Sequence, residues 1–292
     1  MEPRLERIQA PPAGPADPAT AVTWCEVFDL VYFSPQATFG GHITLVRWPV
    51  AQRAWFWSAV LGGDHALVSV VDTDARLPSD SLELRSNGLW ADQNCERAFE
   101  HWSYGLEAFA VATDAPDQAA RHDAEPGAGG HVELWGERVP LGHDLEWEVD
   151  GPTVTEVASS PGAGYSQPGI VHGEVVVGTT TYELDGFGVR SHRWGPRIPP
   201  VGAVARRGEA GEWRVEELGF DESGTDELRI DDGPDSSQLG ASGTAPTTRS
   251  PVRWADPAGQ AVYAIDRWLQ AGRPGTAPGW SQRIRRAERR GR

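Results

Sequence analysis

The sequence predicts a mostly antiparallel β protein of two lobes, completed by one C-terminal helix. Three observations carry that prediction. Short runs of strand-forming residues, broken by Gly, Pro, Asp and Asn, fill the middle of the chain at the spacing of sandwiches and barrels. One run, Leu145, Trp147 and Val149 against Glu146 and Glu148, alternates as a strand with one wet face does. Helical periodicity is confined to 258–271, where Val262, Ile265, Trp268 and Leu269 recur at three- and four-residue intervals.

Taken in order, residues 1–20 read as a disordered leader, because Pro11, Pro12, Pro15 and Pro18 interrupt any regular element. A first lobe is expected over 21–150, with strands near 43–48, 54–61, 66–72, 81–85, 102–113, 131–135 and 144–149, and a loop at 115–130. The boundary falls at Gly151 and Pro152. The second lobe follows over 151–220, with strands at 170–177, 180–187 and 212–218. Residues 221–250 are acidic and poor in large apolar groups, and read as a solvated linker without the ligand spacing of an EF-hand. The helix lies in 251–280, and 281–292 form a basic tail with six Arg and one Glu.

Composition narrows the function. The formal net charge of −16 disfavours nucleic acid as a partner, since phosphate binding needs a basic surface. The Arg-rich tail alone suits weak contact with a membrane surface. All 26 basic residues are Arg, which reads as a coding bias. Two Cys, Cys25 and Cys95, are too few for a disulfide framework and lack metal-site spacing, so reduced thiols and no metal are expected. The start lacks the apolar core of a secretory signal, and no apolar run approaches the ~20 residues of a membrane span, so a cytoplasmic location is expected. The dinucleotide, P-loop, HExxH and GxSxG motifs are absent, and no cofactor is implied.

The segment 182–194 carries the functional argument. Extended throughout, it places Tyr182, Leu184, Gly186, Gly188, Arg190, His192 and Trp194 on one face, with Glu183 and Asp185 on the other. Tyr182 and Leu184 mark the first face as the interior, so Arg190 and His192 are drawn inward. Burying them is costly unless something pairs with them. Either they serve a cavity, with His192 moving a proton, Arg190 holding a carboxylate and Trp194 packing on an unsaturated ligand, or they form a structural latch. Gly186 and Gly188 would leave room for that ligand. On a second face Trp102 and Tyr104 point inward, and Glu107 is a candidate acid among apolar neighbours. Tyr165 and Gln167, in a turn marked by Pro168 and Gly169, would reach the cavity mouth.

The residues Gln167-Pro168-Gly169, His172-Gly173, Tyr182-Glu183-Leu184-Asp185-Gly186 and Gly188-Val189-Arg190-Ser191-His192-Arg193-Trp194-Gly195 resemble the signature of the carotenoid 1,2-hydratase and AttH-like superfamily, particularly its actinobacterial members. The stretches 102–109 and 141–148 resemble its first-lobe strands. The resemblance implies two lipocalin-like (calycin) antiparallel β-barrels packed together around an isoprenoid, polyene or lipid-like ligand. It also implies hydration, cyclisation or isomerisation by acid catalysis, with the family's His and Trp at His192 and Trp194; the strand-face reading adds Arg190 to these candidate catalytic residues. A non-catalytic carrier on the same fold is the alternative. Two departures stand out: Ser191 replaces the Asp that often precedes the His, and no Tyr-x-Asp element follows Trp194 at the family's distance. The acid is left unassigned.

Overall fold

The computed structural model describes residues 6–11, 24–77, 80–114, 136–151, 153–156 and 163–195, with the backbone of strands at 203–207, 213–217, 248–255, 262–270 and 279–287. The architecture is all-β and lipocalin-like, as expected. Eleven strands form one antiparallel sheet: β1 (Cys25–Phe33), β2 (Phe39–Trp48), β3 (Arg53–Gly62), β4 (His65–Arg76), β5 (Leu84–Ser86), β6 (Leu89–Arg97), β7 (His101–Thr113), β8 (Glu137–Val149), β9 (Val154–Glu156), β10 (Ala163–Val177) and β11 (Thr180–Gly195). Five more form a second sheet: β12 (Ala203–Arg207), β13 (Trp213–Glu217), β14 (Thr248–Ala255), β15 (Val262–Gln270) and β16 (Gly279–Ala287).

The first sheet closes on itself. Its order runs β4-β3-β2-β1-β11-β10-β8-β7, and β4 pairs back onto β7, giving an eight-stranded barrel. That strand number leaves an interior that side chains fill or that holds one small ligand. Tight turns make the hairpins possible: Gly62 and Gly63 lie at φ +85° and +80° between β3 and β4, where a Cβ is disfavoured. Phe28, Leu30, Leu45, Phe56, Trp102 and Trp147 belong to one apolar cluster in the interior. The opposite face of β1 to β3 is buried too, by Val27, Trp48, Trp55 and Trp57. On the backbone level β14 lies against β3 and β4, and β16 against β1.

Several expectations are corrected. The pairing runs straight across Gly151, because β8 pairs with β10 from Val149 opposite Gly169 to Leu141 opposite Val177, so the first sheet extends to Gly195. The C-terminal helix is a strand: β15 pairs on one side with β14 and on the other with β16. Short apolar runs fit either period, and partners on both sides decide for the strand. Much of the expected basic tail is β16. Residues 6–11 of the leader have a defined place, with Glu6 buried. Cys25 is buried, but Cys95 is exposed, and neither forms a disulfide. The expected loop at 115–130, the strand at 131–135 and the acidic linker at 221–247 lie outside the described residues. Among the described residues no helix is long and apolar enough to cross a membrane.

The turn read at 165–169 is also strand, within β10. Pro168 fits because its carbonyl accepts from Asp150 N (3.1 Å), on the side where β8 has ended and no ladder donor is required. Gly169 fits because a Cβ there would lie 2.4 Å from Trp147 Nε1.

Candidate functional site

The alternation expected of β11 sets the site. Leu184 is buried while Glu183 and Asp185 are exposed, so Arg190 and His192 point into the barrel. From Val189 to Arg193 both faces are buried. The register with β1 sets Phe28 opposite His192 and Leu30 opposite Arg190, and the register with β10 sets Tyr165 and Gln167 opposite the same two residues. These residues therefore gather at the barrel end where β1 and β7 begin and β2, β8 and β11 finish.

Arg190 is 2% exposed and stands among three aromatic rings. Its Cζ is 4.6 Å from the centroid of Trp102, 5.2 Å from Trp147 and 5.2 Å from Tyr165. Such a cage stabilises a cation by the ring quadrupoles. Its Nη2 donates to Glu6 Oε1 (2.6 Å), Gln167 Oε1 (2.6 Å) and Tyr165 Oη (3.1 Å). Gln167 is fixed in turn, its Nε2 donating to Thr153 Oγ1 (2.9 Å) and Phe99 O (3.2 Å). The turn between β6 and β7 thus braces the site, and Phe99 sits there at φ +61°, a strained backbone for an aromatic residue. Its N–H donates to Glu6 Oε1 (3.1 Å).

His192 answers to a second carboxylate. Its Nε2 lies 2.8 Å from Glu26 Oε1, and Arg47 Nη1 lies 2.7 Å from Glu26 Oε2, all three fully or nearly fully buried. The imidazole stacks on Phe28 at 4.1 Å and lies 4.8 Å from Trp194, with the Tyr165 ring edge-on at 5.8 Å. Gln9 N donates to Glu26 Oε1 at 2.7 Å. The segment 6–11 therefore crosses this end of the barrel, held by Glu6 at Arg190 and by Gln9 at Glu26.

Some polar atoms here have no hydrogen-bond partner among the described residues: Arg190 Nε, Glu6 Oε2, Trp102 Nε1 and Trp147 Nε1. Burial pushes the Tyr104 hydroxyl, farther inside, well above its ordinary value, and it stays neutral. Deeper still, burial pushes the His143 imidazole down to about 3, so it too is neutral at ordinary pH.

The structure brings together Arg190, His192, Trp194, Tyr165, Gln167 and Trp102, with Tyr104 beside Trp102 at 6.4 Å between rings. It separates the others. Tyr182 stands eight residues up β11, roughly 26 Å along the strand, stacked on Phe39 at 4.7 Å. Glu107 is exposed, because its alternation with Leu106 and Ala108 turns it outward. Gly186 and Gly188 open no ligand space. A Cβ at Gly186 would lie 2.2 Å from Phe33 O, and one at Gly188 would lie 2.6 Å from Val31 O and from Val171 Cγ2. Their smallness serves the close approach of β1 and β10.

Sequence reasoning missed Glu6, Glu26, Arg47, Trp147 and Phe99. Glu26 was within reach, since it alternates with Phe28, Leu30 and Tyr32. It supplies the carboxylate beside the imidazole that Ser191 does not. Ser191 faces the other way, its hydroxyl 2.8 Å from that of Ser166, which also accepts from Arg193 Nη2 at 3.1 Å.

Comparison with solved structures returns low-identity matches over most of the chain. The AttH-assigned protein of Nitrosomonas europaea is 11% identical with a TM-score of 0.47, covering 94% of this chain and 99% of that one. CghA in complex with Sch210972 is 11% identical with a TM-score of 0.38, covering 90% and 88%, and CghA alone gives 11%, 0.38, 92% and 90%. Among curated proteins no sequence matches. One family is matched through the whole barrel, from residue 12 to residue 203, and the chain belongs to it: the family described as a domain of unknown function, DUF7064.

Proposed function

We propose that the barrel binds an apolar small molecule of isoprenoid, polyene or lipid-like character, with a polar group at the Arg190 end. The observation that carries this reading is the buried Arg190 in its aromatic cage, surrounded by donors without hydrogen-bond partners among the described residues. A purely structural cation is normally satisfied by its own chain, because each unmet buried donor costs ~1–3 kcal/mol. A ligand with an acceptor oxygen meets that need, while the apolar cluster of Phe28, Trp102 and Trp147 beside it suits an apolar body. Extraction of the protein purified from its native host, followed by mass spectrometry, should yield such a molecule enriched over a mock purification. Its absence at stoichiometric levels would end the reading.

A second reading adds acid–base chemistry at His192. The Glu26 carboxylate at 2.8 Å favours it, since a paired imidazole is oriented and held for proton transfer, and Trp194 offers a π face to developing positive charge. No cofactor is required for such a step. Comparison of the molecules bound to His192→Ala with those bound to the unaltered protein decides it. Accumulation of a precursor is expected, and identical, unaltered ligands in both would leave a carrier.

A further inference from the structure

We propose that Arg190 anchors the carboxylate of an apolar monocarboxylic acid, and that Glu6 holds that anchor until the acid displaces it. This rests on the ligand-binding reading above and names its ligand class.

Three observations lead here. Among the described residues Glu6 is the one carboxylate that Arg190 contacts; its other partners, Gln167 and Tyr165, are neutral. An anion is therefore demanded at this place, and leaving a buried guanidinium without one is strongly unfavourable. The anion supplied fits incompletely. Only Oε1 engages Nη2, while Oε2 of the carboxylate and Nε of the guanidinium, the second halves of a two-bond fork, are both without partners among the described residues. A free carboxylate can approach that edge with both oxygens, and fork pairing is the stronger arrangement. The indole donors of Trp102 and Trp147 flank the same cation and are likewise unpartnered.

The third observation is where Glu6 comes from. Gln167, Tyr165, Trp102 and Trp147 all sit in barrel strands, whereas Glu6 lies 184 positions from Arg190, on a short crossing segment outside the sheet. Glu6 accepts from Arg190 Nη2 and from Phe99 N, and Gln9 N donates to Glu26; none of these bonds belongs to a sheet ladder. Displacing Glu6 breaks no sheet pairing, and the incoming acid restores the charge balance that its departure removes. Glu6 is thus a resident mimic of the ligand's head group.

The test uses the full chain with cis-parinaric acid and its methyl ester as probes, followed by fluorescence. The acid should bind the unaltered protein in preference to the ester. Glu6→Gln removes the competing charge, so the acid should bind at least ten-fold tighter while the ester changes little. Arg190→Gln should abolish the preference. A measurement on the unaltered protein stands independently of the variants: saturating acid, but not ester, should speed hydrogen exchange at the Gln9 amide at least ten-fold as the segment leaves. If acid and ester bind alike in every form, the carboxylate anchor is wrong and apolar binding stands. If the acid binds and Gln9 stays protected, displacement is wrong. If neither probe binds any form, both this inference and the reading it rests on fall.

Discussion

Glu26 answers two buried side chains at once, one carboxylate oxygen facing His192 and the other the Arg47 guanidinium. A buried pair adds little net stability over an apolar pair, yet removing one member strands the other. Glu26→Gln should therefore cost roughly 3–5 kcal/mol, read as a fall in the urea midpoint at constant m-value. A loss under 1 kcal/mol would mean that Arg47 finds another anion. That Glu26 shares a face with Phe28, Leu30 and Tyr32 is legible from the alternation of β1. Its partners are not, since Arg47 lies 21 positions away and His192 166, and only the register of three strands brings them together. His143 gives a pH signature at the same scale. Its folded pKa of about 3 is below the ordinary value of about 6.5, so the unfolded chain takes up the proton first. Stability from this residue is complete above about pH 6.5 and is lost as pH falls towards 3, by on the order of 5 kcal/mol. Denaturation series at pH 7, 5 and 4 should show a shallower acid loss for His143→Gln, and parallel curves would refute the buried neutral imidazole.

Strands differ in how much of themselves they disclose. β11 was legible because its first half has one wet face, and two acids on that face fix which side is interior. β1 was not, because both its faces are buried: Glu26 points inward and Asp29 outward, where Thr44 Oγ1 donates to it at 2.5 Å. No two-letter pattern describes such a strand. β15 misled for the opposite reason, its apolar spacing matching a helix while β14 and β16 hold it extended. The glycines of β11 test the packing reading directly. If Gly188 makes room for ligand, Gly188→Ala weakens binding and spares stability. The 2.6 Å approach to Val31 O argues the reverse, since a backbone atom in a paired strand cannot step aside. Gly188→Ala should destabilise by about 1–3 kcal/mol in chemical denaturation, and an unchanged midpoint would reopen the space reading.

Closure of the barrel makes these local facts cooperative. A flat sheet would leave β4 and the 111–113 end of β7, past its pairing with β6, unpaired on one side, and the Arg190 end open to water; closing it surrounds the cation with β1, β10, β7 and β8. The expected two-lobe class foresaw a barrel, but closure depends on the pairing of β4 with β7, which share no sequence pattern. The seam is also short. It joins Leu67, Val68 and Ser69 to Thr113, Ala112 and Val111, whereas β10 and β11 pair all the way from Ala163 to Val177. Local opening follows the least-secured pairing, so amide hydrogen exchange should find the seam amides of β4 and β7 released at a lower free energy than those of β10 and β11. Val111→Pro removes one seam-side donor, since its N–H lies on the same edge of β7 as that of Phe109, which donates to Gly88 O, and its ring clashes with the facing strand. It should lower seam protection first, while β10 and β11 around Tyr165, Gln167 and Arg190 keep theirs until global unfolding. Equal loss on both sides would show that the barrel opens as a single unit and that the site is only as secure as its seam.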